Sequence, residues 1–249
     1  MKRLALSVAL FLMSAAALFA AKADKAKIVK VDNVKMAHTE AKVLTGQNLN
    51  ISFAKGKWNP DEWVTIKSPR WEHVGSWKQM DDHILNNVPE DLDDTKLLSC
   101  PEAYAAIITK DKFALGKTLV LSSEMSFDHR MAPLIVFSDN YGISPKGIAE
   151  FHEHWEVVLW DEGINVWHHL YEDGKPSWTL AAYITTPFKP NTKYRLNLKI
   201  TTGGKVPMLE VECDGKVFGC ALYGLKNAVH AGVIGCEGRN RFYDFVIKQ

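Results

Sequence analysis

The chain has 249 residues, with 30 lysines and arginines against 29 aspartates and glutamates. This near balance excludes the strongly basic character expected of a protein that binds nucleic acid or an anionic membrane through charge. The length is sufficient for one large domain with a sizeable core.

The first 23 residues have the features of a secretory signal peptide: a positively charged start, an apolar run and small residues at the end. Cleavage is expected after Ala20 or Ala23. The apolar run is too short and wrongly flanked for a membrane span, and no cysteine follows it to take a lipid. Of the 30 basic residues, three lie in this peptide, which leaves 27 against 29 acidic ones. We therefore expect an exported protein, periplasmic or extracellular, with no nucleic-acid partner.

The segment after the peptide, residues 24–47, is rich in lysine and alternates weakly, so we expect a flexible arm or an edge strand. From Asn48 the chain becomes rich in tryptophan, and prolines and glycines between the tryptophans favour short strands and loops. An acidic, loop-like stretch follows from Asn87 to Pro101, with one helical turn predicted at Asp94–Leu98.

Alternating segments then follow in a regular series: AYAAIIT, TLVLSSEMSF, APLIVFSD, SWTLAAYI, KYRLNLKIT, MLEVECDGKVFGCALY and AGVIGCEGRNRFYDFVIK. Turns are predicted at Asp173-Gly174 and at Asp214-Gly215, and the latter pairs Cys213 with Lys216 and Cys220 with Leu209. No long amphipathic helix is evident. The pattern predicts an all-β, two-sheet antiparallel β-sandwich over residues 48–249. The spacing of the four cysteines, including Cys100 and Cys236, does not specify a disulfide.

The segment EFHEHWEVVLWDEGINVWHHLY, residues 150–171, predicts two strands joined by a tight turn. Side chains alternate across a strand, so one face receives Glu150, His152, His154, Glu156, Val158 and Trp160. A two-residue turn at Glu162-Gly163 places on that face the following opposed pairs: Trp160 with Asn165, Val158 with Trp167, Glu156 with His169, and His154 with Tyr171. A three-residue loop would instead move His169 and Tyr171 to the other face. The alternative to a site is a strand pair near a sheet edge with solvated histidines.

The last third of the chain resembles the concanavalin A-like jelly roll of lectins, glucanases and laminin-G-type domains. The resemblance rests on the hairpin MLEVECDGKVFG, the strand GVIG at Gly232–Gly235 and the closing segment FYDF at Phe242–Phe245. The tryptophan-rich opening and the segment WEVVLWD are similar to secreted 3-keto-disaccharide hydrolase domains. Together these similarities cover about residues 48–248 and imply a carbohydrate-related function. The E-x-D-x-x-E strand of the laminarinase-like hydrolases is absent, so no single member family is indicated, and this fold carries lectins, hydrolases and lyases alike.

We therefore expect an enzyme that cleaves glycosidic linkages of a poly- or oligosaccharide in a groove on the concave sheet. The expected catalytic residues are His152, His154, Glu156, His169 and Tyr171, and the expected substrate-binding residues are Arg130, Glu150, Trp160, Trp167 and Glu124. A lyase would use His154 or His169 as base and Tyr171 as acid, with Arg130 neutralising a sugar carboxylate. A hydrolase would pair Glu156 with a carboxylate from another strand, such as Glu124.

Two other functions fit the same residues. In a non-catalytic glycan-binding module, Trp160, Trp167 and Tyr171 would stack on sugars. In a metal site, His152, His154 and His169 would supply three imidazoles. We assign no metal ligand and no cofactor, although jelly rolls commonly hold structural calcium on surface carboxylates, for which Asp139 and Asp173 are candidates. We expect a monomer.

Overall fold

The computed structural model describes residues 41–130, 132–172 and 175–249. The predicted signal peptide, the arm up to residue 40 and the predicted turn at Asp173-Gly174 lie outside these residues. Within the described ranges, no helix has the length and apolar character needed to cross a membrane. The predicted helical turn is confirmed as α1 (Asp94–Leu97), and the Asp93 side chain accepts a hydrogen bond from the Lys96 backbone N–H at its start.

In the described part of the chain the strands are, in order, β1 (Val43–Leu44), β2 (Leu49–Ser52), β3 (Trp63–Thr65), β4 (Trp77–Gln79), β5 (Ile84–Asn86), β6 (Ala105–Thr109), β7 (Lys112–Ala114), β8 (Thr118–Phe127), β9 (Pro133–Ser138), β10 (Tyr141–Ile143), β11 (Ala149–Phe151), β12 (His154–Trp160), β13 (Gly163–Glu172), β14 (Lys175–Thr185), β15 (Tyr194–Thr201), β16 (Met208–Cys213), β17 (Lys216–Ala221), β18 (Ala228–Gly235), β19 (Asn240–Phe242) and β20 (Asp244–Lys248).

These strands form two large sheets and one small hairpin. The first sheet has the strand order β18-β9-β12-β13-β14. The other side of β18 pairs with β7 near its start and with β6 near its end. Strand β1 pairs with β7, and strand β3 pairs with β6. The second sheet runs β17-β16-β15-β8, and β8 continues into β19-β5-β4 and β20-β2. The hairpin β10-β11 stands apart. The predicted all-β, two-sheet sandwich is confirmed, and its large sheets are antiparallel apart from the short parallel pair β1-β7.

The main core lies between the two sheets and is built by strand alternation. On β8 every second side chain, beginning with Leu119 and Leu121, is fully buried. On the facing sheet the same pattern buries Trp155, Val157 and Leu159 of β12. Burial of these large apolar side chains is the principal stabilising contribution to the sandwich.

A second, smaller apolar cluster lies on the outer face of the first sheet. Its sheet members include Ile108, Val136 and Ile234, and it is covered by Ile66 and Phe151, which belong to a loop after β3 and to β11. We call residues 66–74 together with β10 and β11 the covering segments. They lie over β6, β18 and β9, whereas β13 and β14 lie beyond them in the sheet. The candidate site lies where the covered part of the sheet meets the uncovered part.

A buried histidine of β18 gives a testable pH dependence. The His230 ring nitrogen Nδ1 donates to the Thr109 carbonyl at 2.8 Å, and the ring lies 5.3 Å from that of Tyr141. Burial lowers the pKa of His230, assisted by the charge of Lys112, and outweighs the opposing effects of the Thr109 hydrogen bond and Asp111. The unfolded chain binds this proton near pH 6.5, above the folded pKa.

We therefore expect the free energy of unfolding to fall as the pH drops from 6.5 through the folded pKa of His230. His230→Asn should remove the part of this decrease in the free energy of unfolding that comes from protonation of His230. Thermal unfolding midpoints of both proteins, measured at neutral and mildly acidic pH, would check the effect. An identical pH dependence in the two proteins would contradict it.

Candidate functional site

The turn between β12 and β13 lies at Asp161 and Glu162, one residue before the predicted position. Trp160 therefore pairs with Gly163, and His154 pairs with His169 rather than with Tyr171. Gly163 is required within the strand, because a Cβ on it would lie 2.1 Å from the carbonyl oxygen of Ile184.

The remaining predicted pairs shift in the same way. Asn165 lies opposite Val158, and Trp167 lies opposite Glu156. The displacement amounts to two residues on one strand, and a side-chain period of two leaves the side chains of β12 and β13 on their predicted faces.

The strand carrying Glu150 is interrupted before the site. A bend at His152 and Glu153 separates β11 from β12, so Phe151 lies beside His154, with ring centroids 4.3 Å apart, instead of in the main core. Glu150 is buried within the covering segments, where it forms an ion pair with Lys67. The prediction that an unbroken strand places Glu150 and His152 beside His154 is therefore wrong, because the bend resets the alternation.

Three of the predicted residues meet in one buried group, the His–Glu–His cluster of His154, Glu156 and His169. Nε2 of His154 lies 3.1 Å from Oε1 of Glu156, and Nε2 of His169 lies 3.1 Å from Oε2. The two imidazole rings are stacked with centroids 4.6 Å apart. The Glu156 side chain is 12% exposed, more than either histidine. One carboxylate thus bridges two parallel imidazoles and keeps a small opening to solvent.

The surroundings of this cluster lower the pKa values of both Glu156 and His154, for different reasons. Burial alone would raise the pKa of Glu156, but the charge of His169 and the hydrogen bonds from both imidazoles hold that pKa well below its usual range. Burial, together with the charge of His169, lowers the pKa of His154 to about 4, although Glu156 opposes the shift. Burial, followed by the Glu156 charge, raises the pKa of Tyr104 well above its usual value. At neutral pH the cluster therefore holds an ionised carboxylate and a neutral His154.

One atom of the cluster is unsatisfied. Nδ1 of His154 is buried, and no described residue forms a hydrogen bond with it. Buried polar atoms normally have a partner in the protein or an ordered solvent molecule. The side chains around His154 therefore leave one hydrogen-bonding atom of the cluster, Nδ1 of His154, without a partner.

An arginine between two tryptophans forms the border of the cluster. The Arg70 guanidinium lies 5.3 Å from the ring of Trp71 and 4.7 Å from the ring of Trp178. Trp178 pairs directly with His169 across β13 and β14, and their ring centroids are 6.4 Å apart. Cation–π contacts of this kind fix the guanidinium in place. They also tie a covering segment to the sheet beside the cluster.

None of these three residues is expected at the site from the sequence, although a signal exists for one. A two-residue turn at Asp173-Gly174 pairs Glu172 with Lys175, and counting back from it places Trp178 opposite His169, as observed. No local pattern marks Arg70 or Trp71, because they reach the site only through the covering segment.

Beyond the cluster, the outer face of β13 and β14 carries exposed apolar and aromatic groups. Leu180 is 39% exposed and Tyr183 is 58% exposed. Trp167 is half-buried opposite Glu156 and Leu180, and the strand register shifts between Val166 and Trp167. Such bulges re-aim side chains and are frequent beside functional sites. We call Trp167, Trp178, Leu180 and Tyr183 the aromatic strip.

Two predicted binding residues do not reach the cluster. Arg130 forms ion pairs with Asp161 at 3.6 Å and Glu162 at 3.5 Å. This turn is seven residues from His154, roughly 20 Å along an extended strand. Glu124 lies on β8 in the second sheet, 3.9 Å from Lys193. The expectation that both line one groove with the histidines is corrected by this placement.

The other predicted residues have definite positions. Trp160 is buried at the turn end of the hairpin, and the rings of His152 and Tyr171 contact each other with centroids 5.7 Å apart.

Of the two candidates for a calcium site, Asp139 accepts hydrogen bonds from the Lys226 backbone N–H through both carboxylate oxygens. Asp173 lies outside the described residues. All four cysteines are free.

No protein family and no curated protein matches this sequence. Solved structures do match it, among them a seed lectin isoform of Lotus tetragonolobus, with a TM-score of 0.52 and 8% identity over 81% of this chain and 97% of the lectin. A point mutant of the Emp46p carbohydrate recognition domain has a TM-score of 0.50 and 8% identity over 80% of this chain and 95% of that domain. The carbohydrate-binding module CBM66 from Bacillus subtilis has a TM-score of 0.49 and 13% identity over 76% and 96%. The first two likenesses show that the fold is a concanavalin A-like jelly roll.

Proposed function

We propose that this protein binds a glycan on the outer face of the first sheet, along the aromatic strip and beside the His–Glu–His cluster. The observation that carries the proposal is the exposure of Leu180 and Tyr183 next to Trp167, Trp178 and buried ionisable groups. Sugar rings present apolar faces to aromatic side chains and hydroxyls to polar groups, and a site with both suits them. The lectin and the carbohydrate recognition domain with the same fold support this function.

The polar groups at the strip favour a glycan with acidic sugars. Arg70 is held between Trp71 and Trp178, and its buried Nε has no hydrogen-bond partner among the described residues. A planar guanidinium is suited to binding a carboxylate through two parallel hydrogen bonds. Arg70 thus takes the role that the sequence analysis gave to Arg130. The signal-peptide features favour an exported protein, and we propose that it acts as a monomer.

Cleavage of the bound glycan is a second candidate function, and it is favoured by the state of the cluster. The Glu156 carboxylate is partly exposed, and His154 and His169 hold it from two sides. A carboxylate that reaches solvent can accept a proton from a sugar, and the two imidazoles would orient it. They lie where a glycan on the strip would end against the covering segments.

Incubation of the purified protein with immobilised neutral, uronic and 3-keto glycans tests both functions. Retention on a glycan, strongest for uronic sugars, is the expected result. New reducing ends would add hydrolysis, and new reducing ends together with ultraviolet absorbance of an unsaturated product would add a lyase reaction. No retention and no product on any glycan of the panel would contradict the proposal.

A further inference from the structure

We propose that the His–Glu–His cluster is a binding site for one divalent transition-metal ion of the zinc type. The proposal rests on His154, Glu156 and His169 alone and does not depend on glycan binding. Within residues 41–130, 132–172 and 175–249, this is the only group of three histidine, cysteine, aspartate or glutamate side chains whose ligand atoms all lie within 4.8 Å of one another.

The geometry of the three side chains matches a coordination sphere. Each Nε2 atom lies 3.1 Å from one oxygen of the same carboxylate. Two ligands bound at about 2.1 Å to one ion are themselves separated by roughly 3.0–3.4 Å at tetrahedral or octahedral angles. Both nitrogen–oxygen separations fall in that range, and the ligand atoms of all three residues lie within 4.8 Å of one another, so side-chain movements would bring the three onto one ion.

Charge also favours a cation. The Glu156 carboxylate is nearly buried, and among the described residues only His154 and His169 lie within ion-pair distance of it. Burying a carboxylate without a compensating cation is costly. A divalent ion would provide that compensation directly.

The set of donor atoms indicates the class of ion. Two imidazole nitrogens and one carboxylate oxygen are typical ligands of Zn²⁺ and of other first-row divalent ions, whereas Ca²⁺ and Mg²⁺ prefer oxygen alone. Three protein ligands leave at least one coordination position open, as in catalytic sites.

This site differs from the three-histidine arrangement considered from the sequence. His152 lies at the bend before β12, with its ring against Tyr171, and Glu156 takes its place. No metal ligand is assigned from the sequence alone, and the cluster in the folded chain is the reason to assign three.

The test is calorimetric titration of the chelator-treated protein with zinc chloride, with Co²⁺ as a second probe. The expected result is one zinc ion per chain and a visible Co²⁺ absorption spectrum. Loss of even an outer partner of a metal ligand weakens binding by about 10–100-fold, so Glu156→Gln and His169→Ala should weaken zinc binding by more than roughly 100-fold.

His168→Ala is the matched control. His168 is adjacent in sequence, faces the opposite side of β13 and has its own carboxylate partner, Glu153, at 2.8 Å. The His168→Ala variant should bind zinc with the affinity of the unchanged protein. Circular dichroism would establish that each variant is folded, and the near-isosteric Glu156→Gln decides the matter if His169→Ala does not fold. Absence of zinc binding by the folded, unchanged protein, or equal binding by Glu156→Gln, would overturn the proposal.

Discussion

Replacing Lys67 by methionine is expected to lower the free energy of unfolding by about 3–5 kcal/mol, because it leaves a buried carboxylate without its partner. The side chains of Lys67 and Glu150 form an ion pair in which they are 8% and 0% exposed. The Lys67 ammonium also donates to the Trp71 carbonyl at 3.1 Å. The pair therefore fixes the loop that carries Arg70 and Trp71 over the sheet.

Urea unfolding at neutral pH would measure this effect. The matched control is Lys78→Met, because Lys78 and its partner Glu90 are both solvent-exposed and such pairs contribute about 0–1 kcal/mol. The double variant Lys67→Met with Glu150→Leu should be closer in stability to the unchanged protein than Lys67→Met is, since no lone charge remains buried. A loss for Lys67→Met as small as that for Lys78→Met would contradict the assignment.

Replacing Trp178 by alanine is expected to weaken glycan binding by about 2 kcal/mol, or roughly 30-fold. Trp178 contributes an aromatic surface beside His169, and its ring also holds the Arg70 guanidinium. The substitution thus removes a stacking surface and frees the cation proposed to bind sugar carboxylates. Calorimetry with the glycan retained most strongly would measure the loss.

Tyr243→Ala is the control for Trp178→Ala, since Tyr243 is an aromatic residue between β19 and β20 of the second sheet, with Lys193 over its ring at 3.6 Å. Its replacement should leave glycan affinity unchanged. The reverse result, with affinity lost in Tyr243→Ala and kept in Trp178→Ala, would transfer the binding surface to the second sheet, where Glu124 lies.

The strands could be predicted because alternation and turn residues are local signals. The turn at Asp214 and Gly215 gave the correct register for β16 and β17, and both residues have the positive φ that this turn type requires. The turn at Glu162 and Gly163 was misplaced by the same rule. Gly163 serves the close approach of β14 instead of the turn, and one sequence does not distinguish these two uses of glycine.

The cluster was predicted in part for the same reason. His154, Glu156 and His169 share a face by alternation, and the two-residue error in register preserved that face. The loss of His152 from the group depends on a bend that the alternating pattern does not reveal. Arg70 comes from a distant covering segment, and its position follows from long-range packing that no local periodicity encodes.

The most direct test of the proposed function is a crystal structure of the protein with the oligosaccharide that it retains most strongly. The proposal predicts sugar rings on the outer face of β13 and β14, in contact with Trp178 and Trp167 and adjacent to Glu156. Sugar bound at the second sheet near Tyr243, with the aromatic strip free of sugar, would contradict it.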